Sequence, residues 1–402
     1  MNAPRIGVPF LEPSGLPDAV YDAGGEPVPL RLPPSVPEGG IALKREWLAD
    51  LVEISCSGMD LDGLLLDAAS IEEVAGMLIA GLRLDLPTVC APAASPPLSA
   101  IFVALGFAPA IGDPANTAAS LVGNEGPGPR GLVDNFSLAN ALRAGAAAGG
   151  GPEVLVHLAA ISREAGIAGF GQVMRVLAAE TPAADPEWLE EYGVSGLLSS
   201  LGDTLHDVPT VTGNLKENLP SAPPAPHGHS RLVFVRARAS GAEAVCRVRK
   251  GVTETAGECR VFGSENEAVS SVLRGEIGEG TMLVVGGCGP RGGPGLTRLD
   301  ALGRSLEEAG LEVPVITDGL APEDALGTWI TLFTPEAATG GVISLLRDGD
   351  TLRIDLAEGR IRTRAREFQS RESGEFPTGA GTAYAVRYSR TALPAFEGAG
   401  FG

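Results

Sequence analysis

Cys288 and Arg291 stand three positions apart in the run GTMLVVGGCGPRGGPG, a combination suited to chemistry. The thiol lies in a turn with six glycines and two prolines between Gly286 and Gly295. A thiolate beside a guanidinium is stabilised as the anion, so Cys288 reads as a nucleophile or an acid/base group. Arg291 suits a substrate carboxylate held through two parallel hydrogen bonds. Blander readings stand beside both: a small residue tolerated in a tight loop, and an arginine paired with one of 50 acidic residues. Asp318 closes the next apolar run, VPVITDG, and adds a carboxylate. His227 and His229 form an HxH pair, but in the proline-rich stretch SAPPAPHGHS they read as solvated loop.

The elements that position these groups follow from periodicity. An apolar strand, Met282 to Val285, enters the glycine-rich turn. A helix of about 15 residues ending at Gly310 and a second strand, Val313 to Ile316, come next. Glycines let backbone approach closely, and loops at strand ends hold ligands in layered α/β folds. Earlier in the chain, strand Leu61 to Leu66, a helix opened by Ser70 with Glu73 as a capping box, and strand Leu86 to Pro92 make a β-α-β unit. Helix Leu43 to Ser55 places Leu43, Trp47, Leu51 and Ile54 on one stripe. His157, on an apolar helix, reads as a core residue with one hydrogen bond. From Arg231 onward the pattern changes to short alternating strands with Gly and Asp turns. The fold class is α/β: an N-terminal parallel-sheet domain, residues 1–208, and a C-terminal β-barrel-like domain, residues 209–402.

With 402 residues the chain is long enough for two buried cores. A formal net charge of −20 argues against nucleic acid or anionic membrane as a partner. No run approaches a membrane span, and the opening MNAPRIGVPF has no signal-peptide pattern. Five widely spaced cysteines without a CxxC pair predict a reduced, cytoplasmic protein, with Cys246 and Cys259 as packing residues.

The segments VVGGCGPRGGPG, VPVITDG and TPEAATGGVISLLRDGDTLRIDL together resemble the C-terminal part of the dihydroxy-acid and sugar-acid dehydratases. These are iron–sulfur lyases that make 2-keto acids. TVTGNLKENLP and the tail AVRYSRTALPAFEGAG match as well. The resemblance implies a swivelling β/α barrel as C-terminal domain, an active site between the domains, and a homodimer. It also sets the family's chemical positions against other residues here. Ser70, Ile71 and Glu72 stand where the family has Cys-Asp-Lys, and SPPLS replaces another cysteine motif. The opening PFLEPSGLPDA carries no cysteine, Pro322 falls at the basic serine, and Cys288 at a glutamate. The resemblance therefore implies no iron–sulfur cluster and a lost parent reaction. Glu38 and Glu72, converging beside Asp318, would hold Mg2+ or another divalent cation. The retained loops make Gly289, Gly292, Gly293, Asn214 and Lys216 substrate-binding candidates, with Cys288, Arg291 and Asp318 as the catalytic set. The expected function is a cluster-independent lyase-type enzyme of specialised metabolism acting on a small carboxylate-bearing metabolite. The alternative is a non-catalytic homologue that binds a metabolite or a partner subunit.

Overall fold

The computed structural model describes residues 3–33, 39–67, 69–91, 95–123, 127–237, 240–363, 371–376 and 381–402. Packing divides the chain into two compact units. The first comprises residues 1–36, 44–150 and 157–229; the second comprises 37–43, 151–156 and 230–402.

The first unit contains β1 (Arg5–Phe10), α1 (Leu16–Asp22), β2 (Glu26–Arg31), most of α2 (Ile41–Cys56), β3 (Gly63–Leu66), α3 (Ile71–Leu84) and β4 (Thr88–Cys90). Its four strands lie in the order β2-β1-β3-β4, all parallel. Every residue of β3 is buried, as expected of a strand covered on both faces. α2 is rotated from its expected stripe. Leu43, Leu48, Ala49 and Val52 are fully buried, whereas Ile54 is 73% exposed. The expected capping box at α3 does not form. Glu73 Oε2 accepts from Ala69 N at 3.0 Å, but the Ser70 hydroxyl caps nothing. Helices α4 (Pro96–Leu105), α5 (Pro114–Gly123), α6 (Pro129–Leu132), α7 (Asn135–Ala147), α8 (Glu153–Glu164), α9 (Phe170–Glu180) and α10 (Pro186–Leu201) follow. α4 is apolar on nearly every side and is buried from Leu98 to Leu105. α7 carries the complete capping box, with the Asp134 carboxylate accepting from Phe136 N and Ser137 N. His157 is buried on α8, its Nδ1 3.5 Å from Nη1 of the buried Arg45, which also pairs with Glu46. Three short strands close the region: β5 (Pro182–Ala184), β6 (Pro209–Thr210) and β7 (Gly213–Asn214).

The second unit is built on eight strands: β8 (Gly228–Ala237), β9 (Ala242–Arg249), β10 (Glu254–Phe262), β11 (Thr281–Val285), β12 (Val315–Thr317), β13 (Trp329–Thr334), β14 (Thr351–Asp355) and β15 (Arg360–Thr363). They run β15-β14-β10-β11-β12-β13-β9-β8, and β15 pairs back onto β8 through Arg360 and Arg236. The sheet is thus a closed, barrel-like one. Period-two alternation builds its two cores. On β11, Met282 and Val284 face the cluster that includes Cys246, Cys259, Ile330 and Ile354. Leu283 and Val285 face the other way, against Leu302 and Leu306 of α12 (Asp300–Glu308) and Val272 of α11 (Glu265–Leu273). A last helix, α13 (Ala383–Thr391), precedes the C-terminal turn.

The helix after the glycine-rich loop is shorter than its sequence pattern predicts, nine residues rather than about 15. Its expected first turn is spent on loop pairing instead. Thr297 N donates to Cys288 O at 2.9 Å, Leu299 N donates to Leu320 O at 3.0 Å, and Leu296 sits at φ 73°.

Candidate functional site

β10, β11, β12 and β13 are mutually parallel, so the loops after β11, β12 and β13 leave the same end of the sheet. That end is where layered α/β folds place ligands. Two buried carboxylates tie the three loops together. Asp318 Oδ1 accepts from Cys288 N at 2.8 Å, and its Oδ2 accepts from Gly287 N at 3.2 Å and Ala337 N at 2.8 Å. Glu336 Oε2 accepts from Arg291 N and Gly292 N, both at 3.0 Å, and its Oε1 meets Arg291 N at 3.1 Å. Burial raises both carboxyls. For Asp318 the backbone donors work against it. For Glu336 burial, reinforced by the charge of Asp318, pushes the pKa up to about 7.

The glycines are required by this arrangement. A Cβ on Gly289 would stand 2.4 Å from Glu336 Oε2, and one on Gly293 would stand 2.9 Å from Cys288 Cα. Gly292 lies equally close to the backbone of Gly287. Residues 39–43 close the loop from below: Gly40 N donates to Pro294 O at 2.7 Å, Ile41 N to Leu296 O at 3.1 Å and Ala42 N to Gly295 O at 2.7 Å. Those bonds satisfy orphan donors at the start of α2. A cavity of about 580 Å3 lies beside the cluster, lined by Ala337, Ala338, Gly340, Ser373, Gly374 and Phe376 together with Glu375. Its size is in the range of small-molecule sites.

Cys288 departs from the expected activated thiolate. It is 4% exposed and belongs to the apolar cluster between sheet and helices, with Gly319 against its Cβ. Burial first, then the charges of Asp318 and Glu265, push its thiol well above the ordinary cysteine value, while a hydrogen bond with Thr317 opposes them. This environment favours the neutral thiol. The Arg291 guanidinium does not offset it; its Nε is anchored on Ala392 O at 3.0 Å.

Residues 223–399 match the dihydroxy-acid/6-phosphogluconate dehydratase C-terminal family. A dihydroxy-acid dehydratase of Geobacter metallireducens is 30% identical over 303 residues, covering 67% of this chain and 55% of its own. Those of Citrifermentans bemidjiense and Methylococcus capsulatus are 31% and 32% identical, covering 57% and 56% of this chain and 46% of each relative. The C-terminal part of the chain belongs to the dihydroxy-acid/6-phosphogluconate dehydratase family. The chain spans about half the length of the curated relatives it matches.

Membership in this dehydratase family raises the question of an iron–sulfur centre, which thiolates would hold. Cys56 and Cys90 are buried in the first unit, and Cys246, Cys259 and Cys288 in the second. Burial raises Cys56 to about 11, and Cys246 and Cys259 to about 12. Among the described residues no three His, Cys, Asp or Glu side chains are grouped so as to hold a metal ion. Lys44 Nζ stands 3.5 Å from the Glu72 carboxylate and 2.5 Å from that of Glu73. Glu38 lies outside the described residues.

The remaining candidates sit on a turn of the first unit. Asn214 Nδ2 donates to Glu217 Oε1 at 3.3 Å, and Lys216 N donates to Asp207 Oδ1 at 3.0 Å. Of the HxH pair, His229 Nδ1 stands 3.9 Å from Asp185 Oδ1 and His227 is exposed. Glu336 has no helical or alternating signal of its own. Its mark in the sequence is the pair Gly340-Gly341, because a Cβ on Gly341 would run into Pro335 O at 1.7 Å. Among the described residues no helix is long and apolar enough to cross a membrane.

Proposed function

We propose that this dehydratase-family chain is a cluster-independent, lyase-type enzyme acting on a small carboxylate-bearing metabolite. The carrying observation is Glu336, a buried carboxyl whose pKa is pushed up to about 7 among loops leaving one end of four parallel strands. Perturbed carboxyls of this kind concentrate at functional sites, and a pKa near the operating pH suits general acid–base work. Arg291, fixed at its backbone by Glu336 and at Nε by Ala392, is assigned the substrate carboxylate. The neighbouring cavity supplies the volume.

The test is solvent-proton exchange. Purified protein is incubated in D2O with a panel of 2-hydroxy and 2,3-dihydroxy acids, and deuterium incorporation and 2-keto acid formation are followed by NMR. Catalysed exchange should fall by about 10²–10⁴-fold in Glu336→Gln, the usual contribution of a general acid or base. Arg291→Ala should chiefly raise KM.

A second reading has its own support. Every described hydrogen bond of the Asp318 and Glu336 carboxyls is to a backbone N–H group, as in a loop built for rigidity. A non-catalytic homologue would give ligand-dependent thermal stabilisation with the same acids, without exchange or turnover.

A further inference from the structure

Residues 220–229 track along α10 from its C-terminal end to its N-terminal end. Ser199 Oγ donates to Pro220 O at 2.8 Å. Pro223 seats at Gly196, where a Cβ would stand 3.5 Å from Pro223 Cγ and 2.9 Å from Tyr192 Cβ. Trp188 Nε1 donates to Pro224 O at 3.0 Å, and the Trp188 ring tilts against that of Tyr192 with centroids 5.0 Å apart. His229 Nδ1 ends the track 3.9 Å from Asp185 Oδ1, at the N-cap of the helix. Positions rise along the segment as their partners fall along the helix, so the two run antiparallel. α10 itself is kinked at Gly193, whose φ of 65° suits glycine. Trp188 and Tyr192 stand on one side of the kink, Gly196 and Ser199 on the other.

The sequence equips the segment for this seat. Pro220, Pro223, Pro224 and Pro226 each fix φ and bias the residue before them toward extended backbone, which favours a polyproline II run of three residues per turn. Pro223 and Pro226, one such turn apart, are half-buried, whereas Ser221, Ala222, Pro224 and Ala225 are exposed. A polyproline II run makes no internal hydrogen bonds, so its carbonyls are open to an outside donor such as the Trp188 indole. Aromatic-lined grooves recognise PxxP segments in this form, because a preformed run loses little freedom on docking. We propose that the face of α10 bearing Trp188, Gly196 and Ser199 is a proline-recognition groove, and that residues 220–226 are its resident ligand, held in cis. A foreign PxxP segment competes against an occupant whose tether gives it an effective concentration in the millimolar range. The groove is independent of the proposed reaction, because the Trp188 indole reports it without turnover.

The experiment uses the full chain labelled with 15N-tryptophan, whose three indole signals are followed by NMR. Trp188→Phe assigns the Trp188 signal by its loss. A variant carrying Pro220→Ser, Pro223→Gly, Pro224→Ser and Pro226→Gly removes the stiff run at constant length. Its Trp188 indole N–H should exchange with solvent roughly tenfold faster than in the parent, the effect of about one hydrogen bond. The Trp47 and Trp329 signals should stay in place, which checks that the variant is folded. A peptide of sequence LPSAPPAPHGH, residues 219–229, is then added at up to about 5 mM, the range of the tethered occupant. It should shift the Trp188 signal of the variant saturably and slow its exchange again, whereas the same peptide with serine for proline should do neither. Equal Trp188 exchange in parent and folded variant would overturn the resident ligand. A Trp188 signal that ignores the peptide, or that moves equally with the serine peptide, would overturn proline recognition. If the variant does not fold, the parent decides alone: a Trp188 indole exchanging as fast as in an unfolded peptide ends the proposal, and a protected one sustains it.

Discussion

The residue scale separates what a side chain is from what its surroundings let it do. Cys288 and Arg291 are three apart in a glycine-rich turn, and that spacing was readable as an activated thiol. Alternation alone already places Val285 on the helix-facing side of β11, and Cys288 follows it into the same apolar cluster. We expect native Cys288 to react with a thiol-disulfide reagent at least about 100-fold more slowly than after denaturation, since the thiolate is the reactive form and burial suppresses it. Mass mapping of the labelled peptide checks this, and rapid native labelling at Cys288 would restore the nucleophile. Glu336 shows the converse limit. Nothing in its local pattern distinguishes it from the other acids, because its role depends on N–H groups more than 40 positions away in sequence.

Among the elements, the parallel strands and the barrel-forming alternation were legible because burial on one or two faces writes a period into the sequence. The start of α12 was not. LTRL fits a helical period, but its backbone donors are claimed by Cys288 O and Leu320 O, which only the folded loop supplies. α2 likewise turned its buried face away from Ile54. The glycine-rich loop itself makes a sharp forecast. Gly289→Ala should cost about 1–3 kcal/mol, the range for overpacking a tight site, because the new methyl meets Glu336. Gly278→Ala meets nothing within 4 Å and should stay within about 0.5 kcal/mol of the parent. Urea unfolding of both variants distinguishes a required glycine from a tolerated one.

For the whole molecule, the Glu336 carboxyl gives stability an unusual pH slope. Its value in the unfolded chain is 4.5 and in the native state about 7, so the native protein binds the extra proton between those limits. Stability from this group is full below pH 4.5 and is lost as pH rises through about 7. The change is on the order of 3 kcal/mol across the window. Asp318, also raised, acts in the same sense. The Asp350 carboxyl, lowered by its hydrogen bonds with Arg371 and Arg347 despite desolvation, acts oppositely as pH falls through its depressed value. Chemical denaturation at pH 5.5 and 7.5 should show a larger fall in the wild-type chain than in Glu336→Gln, and equal falls would remove Glu336 as the cause.

Among the described residues, the first and last strands of the cylinder, β8 and β15, meet at one residue pair, Arg360 with Arg236, backed by a bond from Arg236 N to Gly359 O at 3.0 Å. A cylinder joined so briefly in its described part has a natural place to split, and a split there would bare the edge of β15 and the part of β8 that β5 does not cover. Arg231 and Arg236 are exposed on β8, and Arg362 is exposed on β15. Cationic side chains on bare edges discourage strand-to-strand stacking between copies. The seam thus combines few described bonds with the kind of charge that discourages such stacking.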